Sequence, residues 1–101
     1  MAVYNFERLH VLLVEDNAYV RNILHDLLRQ LQFGRVSVAT DGADAIEFMK
    51  TQSQPGLDLI VADYVMTPID GHLLLRWVRT SKDSANRFIP FIMLSGAADY
   101  E

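Results

Sequence analysis

A chain of 101 residues, 50% hydrophobic and 22% charged, has the make-up of one globular domain with a single core, not of a disordered tail. A formal net charge of -4, with the 9 basic residues scattered, argues against a phosphate-binding nucleic-acid surface. Without cysteine there is no disulfide, thiolate metal site or cysteine nucleophile, and apolar runs such as "VLLV" fall far short of the roughly 20 residues that cross a bilayer.

The elements follow in chain order. The opening "MAVYNFERLH" lacks the apolar segment of a signal peptide, so a cytoplasmic, soluble protein is expected, with residues 1–8 as an N-terminal extension. "HVLLV" (10–14) reads as a buried strand. After "EDNA", Val20, Ile23, Leu24, Leu27, Leu28 and Leu31 form one apolar helical stripe, with Gly34 as its stop. "RVSVAT" (35–40) alternates and is rich in β-branched residues, a second strand. "DGADAIEFMKTQ" places Ala45, Ile46 and Met49 on one helical face, and "SQPG" ends it. "LDLIVAD" is a third strand. "DGHLLLRWVRTS", with Leu74, Trp77 and Val78, is a third helix, and "FIPFIMLS" (88–95) a fourth apolar run. Apolar strands alternating with helices imply a doubly wound α/β fold around a parallel sheet.

In such sheets ligands gather at the carboxyl ends of the strands. Glu15 and Asp16 follow the first strand, Asp63 ends the third and Ser95 ends the fourth, with the small Gly96 and Ala97 after it. If the first and third strands are neighbours, three carboxylates share one crevice. Two unit charges 4 Å apart repel by about 4 kcal/mol at an effective dielectric near 20, so a cation or a retained proton has to offset them. With no His or Cys nearby, an all-oxygen set suits Mg2+, and a carboxylate beside such an ion can attack phosphorus. Each acid also has an ordinary reading. Asp16 or Asn17 can cap the first helix, and Asp63 can form an Asx-turn ahead of Pro68.

Taken together, "VLLVEDN", "LIVADYVMTPIDG" and "FIMLSGA" resemble the signature segments of the response-regulator receiver domain of two-component signalling. The resemblance runs from about residue 9 onward and implies a flavodoxin-like receiver fold. It implies Asp63 as phosphoacceptor, and Mg2+ held by Glu15, Asp16, Asp63 and the main-chain carbonyl of Val65. Ser95 becomes the switch hydroxyl, Gly96 and Ala97 lie beside the phosphoryl group, and Gly71 is the turn residue before the third helix. The implied donor is a sensor histidine kinase or a histidine phosphotransfer protein. Such a domain catalyses only its own aspartyl phosphorylation and dephosphorylation and is not otherwise an enzyme.

The sequence departs from that pattern in two places. Thr67 stands between Met66 and Pro68, although Gly71 remains eight residues after Asp63. The family's lysine has no counterpart, since Lys50 and Lys82 fall on or after helices, and the last helix, strand and helix of the fold are missing. The expectation is therefore a single, C-terminally truncated receiver domain over 1–101, impaired in phosphorylation, whose exposed fourth strand offers an edge for a homodimer. The competing reading is a receiver-like interaction module that takes no phosphoryl group. An aspartyl-phosphate phosphohydrolase would need D-x-D after the first strand, and a flavodoxin a Ser/Thr-rich loop there; "VEDN" is neither.

Val65 is apolar where a polar side chain could orient an attacking water, which predicts slow hydrolysis of an aspartyl phosphate. Asn17, Ala18, Arg21 and Asn22 are candidates for an exposed donor-docking face. His10, His25 and His72 lack metal-ligand spacing, Trp77 reads as core, and the glycines form no nucleotide-binding loop.

Overall fold

The computed structural model describes residues 5–51 and 56–94. The elements are β1 (His10–Val14), α1 (Ala18–Gln30), β2 (Arg35–Ala39), α2 (Gly42–Thr51), β3 (Leu59–Asp63), α3 (Gly71–Thr80) and β4 (Phe91–Leu94). The strands are all parallel, in the order β2-β1-β3-β4. The order reverses at β1, whose neighbours β2 and β3 lead away on opposite sides, and this places the topological switch between β1 and β3.

Alternation along β1 creates two cores. Leu12 and Val14 pack with Ala45 of α2 and with Leu74 and Val78 of α3. Val11 and Leu13 face the other way, onto Leu28 of α1 and Phe33. Every β1 residue is buried, as expected of a central strand covered on both faces. Each fully buried Leu or Ile, such as Leu12, Leu13 and Ile60, contributes about 1.5–3 kcal/mol. The doubly wound architecture expected from the strand–helix alternation is the one observed.

Local chemistry explains the helix starts. Asn17 Oδ1 accepts from Val20 N and caps α1, and Asp70 Oδ1 accepts from Leu73 N and caps α3. At α2 two side chains hold the start: Asp41 Oδ1 accepts from Asp44 N, while Asp44 Oδ2 reaches back past Asp41 and accepts from Thr40 N.

Two details of α1 differ from the sequence reading. The helix stops at Gln30, and the left-handed residue beyond it is Gln32 (φ 68). Gly34 is required for another reason: a Cβ there would collide with the Glu7 carbonyl. That contact belongs to residues 5–9, which fold back onto the domain through Phe6 stacked on Phe33 (ring centroids 4.7 Å apart) and through Gly34 N donating to Phe6 O. The apolar stripe also is only partly used. Leu28 is buried and Leu24 half-buried, whereas Ile23, Leu27 and Leu31 are each 50% exposed. Leu24 and Leu28, an i, i+4 pair, carry the packing onto the α1-side core, and Ile23, Leu27 and Leu31 lie outside that contact.

Leu74→Ala should lower stability by about 2–5 kcal/mol, the range for a fully buried leucine, in urea denaturation. Leu27→Ala should change it by less than about 1 kcal/mol. Equal losses would contradict this placement of α1.

Candidate functional site

The strand pattern carries two acids to the same place. Leu59 and Val61 of β3 share the α1-side core with Val11 and Leu13 of β1. One step further along the alternation, Glu15 and Asp63 come to the same side. Val14 pairs with Ala62 in the parallel register, so these next residues lie side by side at the switch point. Asp16 follows from the β1–α1 loop. The three residues each offer a carboxylate oxygen, and these oxygens all lie within 4.8 Å of one another. Glu15 is buried, Asp63 half-buried and Asp16 exposed.

The β1–α1 loop is held at several points. Glu15 N donates to Ala39 O at the end of β2 (3.2 Å), and Glu15 Oε2 accepts from Asn17 N (3.1 Å). Arg21 Nη1 donates to the Glu15 main-chain oxygen (2.8 Å), and Arg21 N closes the first helical turn on Asn17 O (2.8 Å). Helix capping belongs to Asn17, which leaves the Asp16 carboxylate with no hydrogen bond among the described residues. The cap reading of Asp16 is thereby set aside.

After β3, Tyr64 N donates to Leu94 O and Tyr64 O accepts from Gly71 N. Gly71 has to be glycine here, because an added Cβ would lie 2.5 Å from Asp63 O and 2.6 Å from Met93 Sδ. Met66 is buried beneath the loop, and the Thr67–Pro68 peptide is cis. Val65 N makes a long contact with Asp63 Oδ1 (3.4 Å). The Asx-turn reading of Asp63 thus holds in weak form and does not occupy the whole carboxylate. Above the acids opens a cleft of about 430 Å³, lined by the three acids, Asn17, Val20, Leu24, Val65 and Leu94. Ser95, Gly96 and Ala97 lie outside the described residues.

Residues 11–101 match the response regulator receiver domain family. The chain belongs to that family. It is 35% identical over 86 residues to the two-component response regulator ORR5 of Oryza sativa, an alignment covering 85% of this chain and 60% of the relative. It is also 34% identical over 90 residues to the probable transcriptional regulator ycf27 of Cyanidium caldarium, covering 89% of this chain and 32% of that protein. The chain thus spans less than two thirds of either relative. Among solved structures it is similar to the receiver domain of the sensor histidine kinase PA1611 from Pseudomonas aeruginosa, with TM-score 0.75 and 30% identity over 90% of this chain and 70% of that one. That structure has a magnesium ion coordinated in its active-site cleft.

In this receiver domain the acid cluster is electrostatically loaded. Burial pushes the Glu15 carboxyl above its ordinary value of 4.5; the Asn17 N–H works against that shift, and the charges of Asp63 and Asp16 add to it. No lysine or arginine forms an ion pair with the three acids among the described residues. The donor set is entirely oxygen and anionic, which fits a hard divalent cation and not a soft one.

The residues singled out in the sequence fare differently. Arg21, an exposed docking candidate there, is half-buried and braces the acid loop. An arginine one turn into a helix that follows a tight acidic loop is the available signal for such a brace. His10 is buried with Nε2 2.7 Å from Ser37 Oγ, and Trp77 packs against the larger core. His25 is partly buried beside Asp26 (3.7 Å).

The raised Glu15 pKa has a definite sign. A carboxyl that holds its proton more tightly when folded contributes stability below its unfolded pKa, and this is lost as pH rises through the folded value. With chelator present, Glu15→Gln should therefore melt at a higher temperature than wild type at pH 7, with the difference vanishing near pH 4. A neutral-pH melting temperature below that of wild type would contradict the described repulsion.

Proposed function

We propose that this domain accepts a phosphoryl group onto Asp63 from a histidine kinase or a histidine phosphotransfer protein, with Mg2+ in the site. The observation that carries this reading is the convergence of Glu15, Asp16 and Asp63 within 4.8 Å. Those three side chains and the Val65 carbonyl would hold the cation, whose charge stabilises the phosphoryl oxygens during transfer.

The chemistry assigned to the chain itself is simple. An ionised Asp63 oxygen attacks phosphorus in line with the donor nitrogen; the new O–P bond forms as the P–N bond breaks, and the electron pair leaves on the imidazole. Asp63 combines partial burial with access to the cleft, as a nucleophile needs. Glu15 and Asp16 remain carboxylates and are not themselves modified. Ser95, next in sequence after β4, is assigned the hydroxyl that meets the phosphoryl oxygen, with Gly96 and Ala97 giving it room. The switching output and the cytoplasmic setting belong to the same reading.

Among the described residues no basic side chain pairs with the acids, so acceptance by this 101-residue chain is expected to be slow. The same observation favours the second reading, an interaction module that keeps the fold without phosphotransfer. Val65, 59% exposed at the cleft, presents no polar group to an attacking water, and slow hydrolysis is expected for that reason. β4 has a partner on one side only among the described residues, with Ile92 48% exposed. Pairing of two copies along this edge is the proposed self-association, and light scattering that gives a monomer mass would contradict it.

Incubation with acetyl phosphate and Mg2+, followed by intact-mass measurement, should give one slowly accumulating phosphoryl adduct that is absent in Asp63→Asn. Val65→Asn should shorten its lifetime severalfold. No adduct after prolonged incubation selects the interaction module, and an adduct retained in Asp63→Asn refutes the assigned acceptor.

A further inference from the structure

We infer that Arg21 is a positioning residue for the cation site, acting through the peptide that joins Glu15 to Asp16. The inference rests on the reading of the three acids as a divalent-cation site and adds to it a residue outside the ligand set.

The Asp16 carboxylate is exposed and accepts no hydrogen bond among the described residues, so its location is set by its backbone. That backbone follows a strand that has ended and precedes a helix that has not begun. Upstream, Glu15 N is held by Ala39 O. Downstream, Asn17 N is held by Glu15 Oε2. Between them lies the Glu15–Asp16 peptide, whose carbonyl receives Arg21 Nη1 at 2.8 Å. This is the one side-chain donor to the backbone of residues 15–17 among the described residues. A peptide unit is planar, so fixing its oxygen fixes the rotation of the plane and the direction in which Asp16 leaves it. Arg21 is itself anchored, because its own N–H closes the first turn of α1 on Asn17 O. Brace and braced loop are thus parts of one hydrogen-bonded ring.

Charge and geometry make opposite predictions for the loss of Arg21. A guanidinium near a bound cation repels it, so removing the positive charge should tighten Mg2+ binding if electrostatics were all that mattered. Removing a brace lets Asp16 wander and should weaken binding; loss of an outer partner of a metal ligand typically lowers affinity by about 10–100-fold. The sign of the change separates the two.

Mg2+ affinity of the 101-residue chain, measured by titration calorimetry at fixed ionic strength, tests this. Arg21→Met, similar in length but without a donor, should weaken binding by about tenfold, while Arg21→Lys, which keeps one donor, should recover most of the loss. Circular dichroism verifies that the variants are folded, and Arg21→Gln, too short to reach, replaces Arg21→Met if that variant does not fold. Unchanged or tighter binding in the folded loss variant overturns the positioning role. Asp16→Asn that binds Mg2+ like wild type overturns the cation reading itself, whatever Arg21 does.

Discussion

The site depends on one constraint, the parallel register of β1 against β3. With Val14 opposite Ala62, the residues that follow them leave the sheet side by side. Because side chains alternate, Glu15 and Asp63 emerge on the same face, the one covered by α1. A slip of one residue in either strand would send its acid to the α2–α3 side. Burial prevents that slip, since β1 is enclosed on both faces and its neighbouring strand ends share the two cores. The chemistry is thus positioned by hydrophobic packing, and Leu24 and Leu94, which pack against the α1-side core, also line the cleft.

The same constraint creates an electrostatic burden. Three carboxylates are held close together, and the acid most deeply buried, Glu15, is driven toward its protonated form, chiefly by its burial. The fold tolerates this because the loop around the acids is hydrogen-bonded from three sides, by the end of β2, by the start of α1 and by Arg21. Hydrogen-bonded fixation and repulsion at one place make a set of oxygens whose chemistry fits a divalent cation. Membership of the receiver family, and the magnesium in the cleft of the similar PA1611 receiver domain, agree with that physical reading.

Much of this was legible in the residues. The apolar run of β1 matched its strand end for end, because five residues closed by turn-forming ones are too short for a buried helix. The acid triad was legible from strand ends alone, provided that β1 and β3 were neighbours. What the residues could not separate was Asp16 from Asn17 as the α1 cap, since both side chains suit the role and only backbone geometry decides it. Periodicity reveals the apolar face of α1 without revealing how much of it is covered: Leu28 is buried, whereas Leu27 is 50% exposed. In the sequence Gly34 reads as a helix stop, although its need arises from the close approach of the Glu7 carbonyl. Arg21 reads as a surface residue for the same reason: its partner is a main-chain oxygen, which composition does not announce.

The central claim is that Glu15, Asp16 and Asp63 form a single cation site. Titration of the isotopically labelled chain with paramagnetic Mn2+, followed by amide NMR, tests it most directly. Signals of residues 15–17 and 63–65 should broaden first, and Mg2+ in excess should restore them. Broadening spread evenly over the acidic surface, or centred on another part of the chain, would contradict the claim.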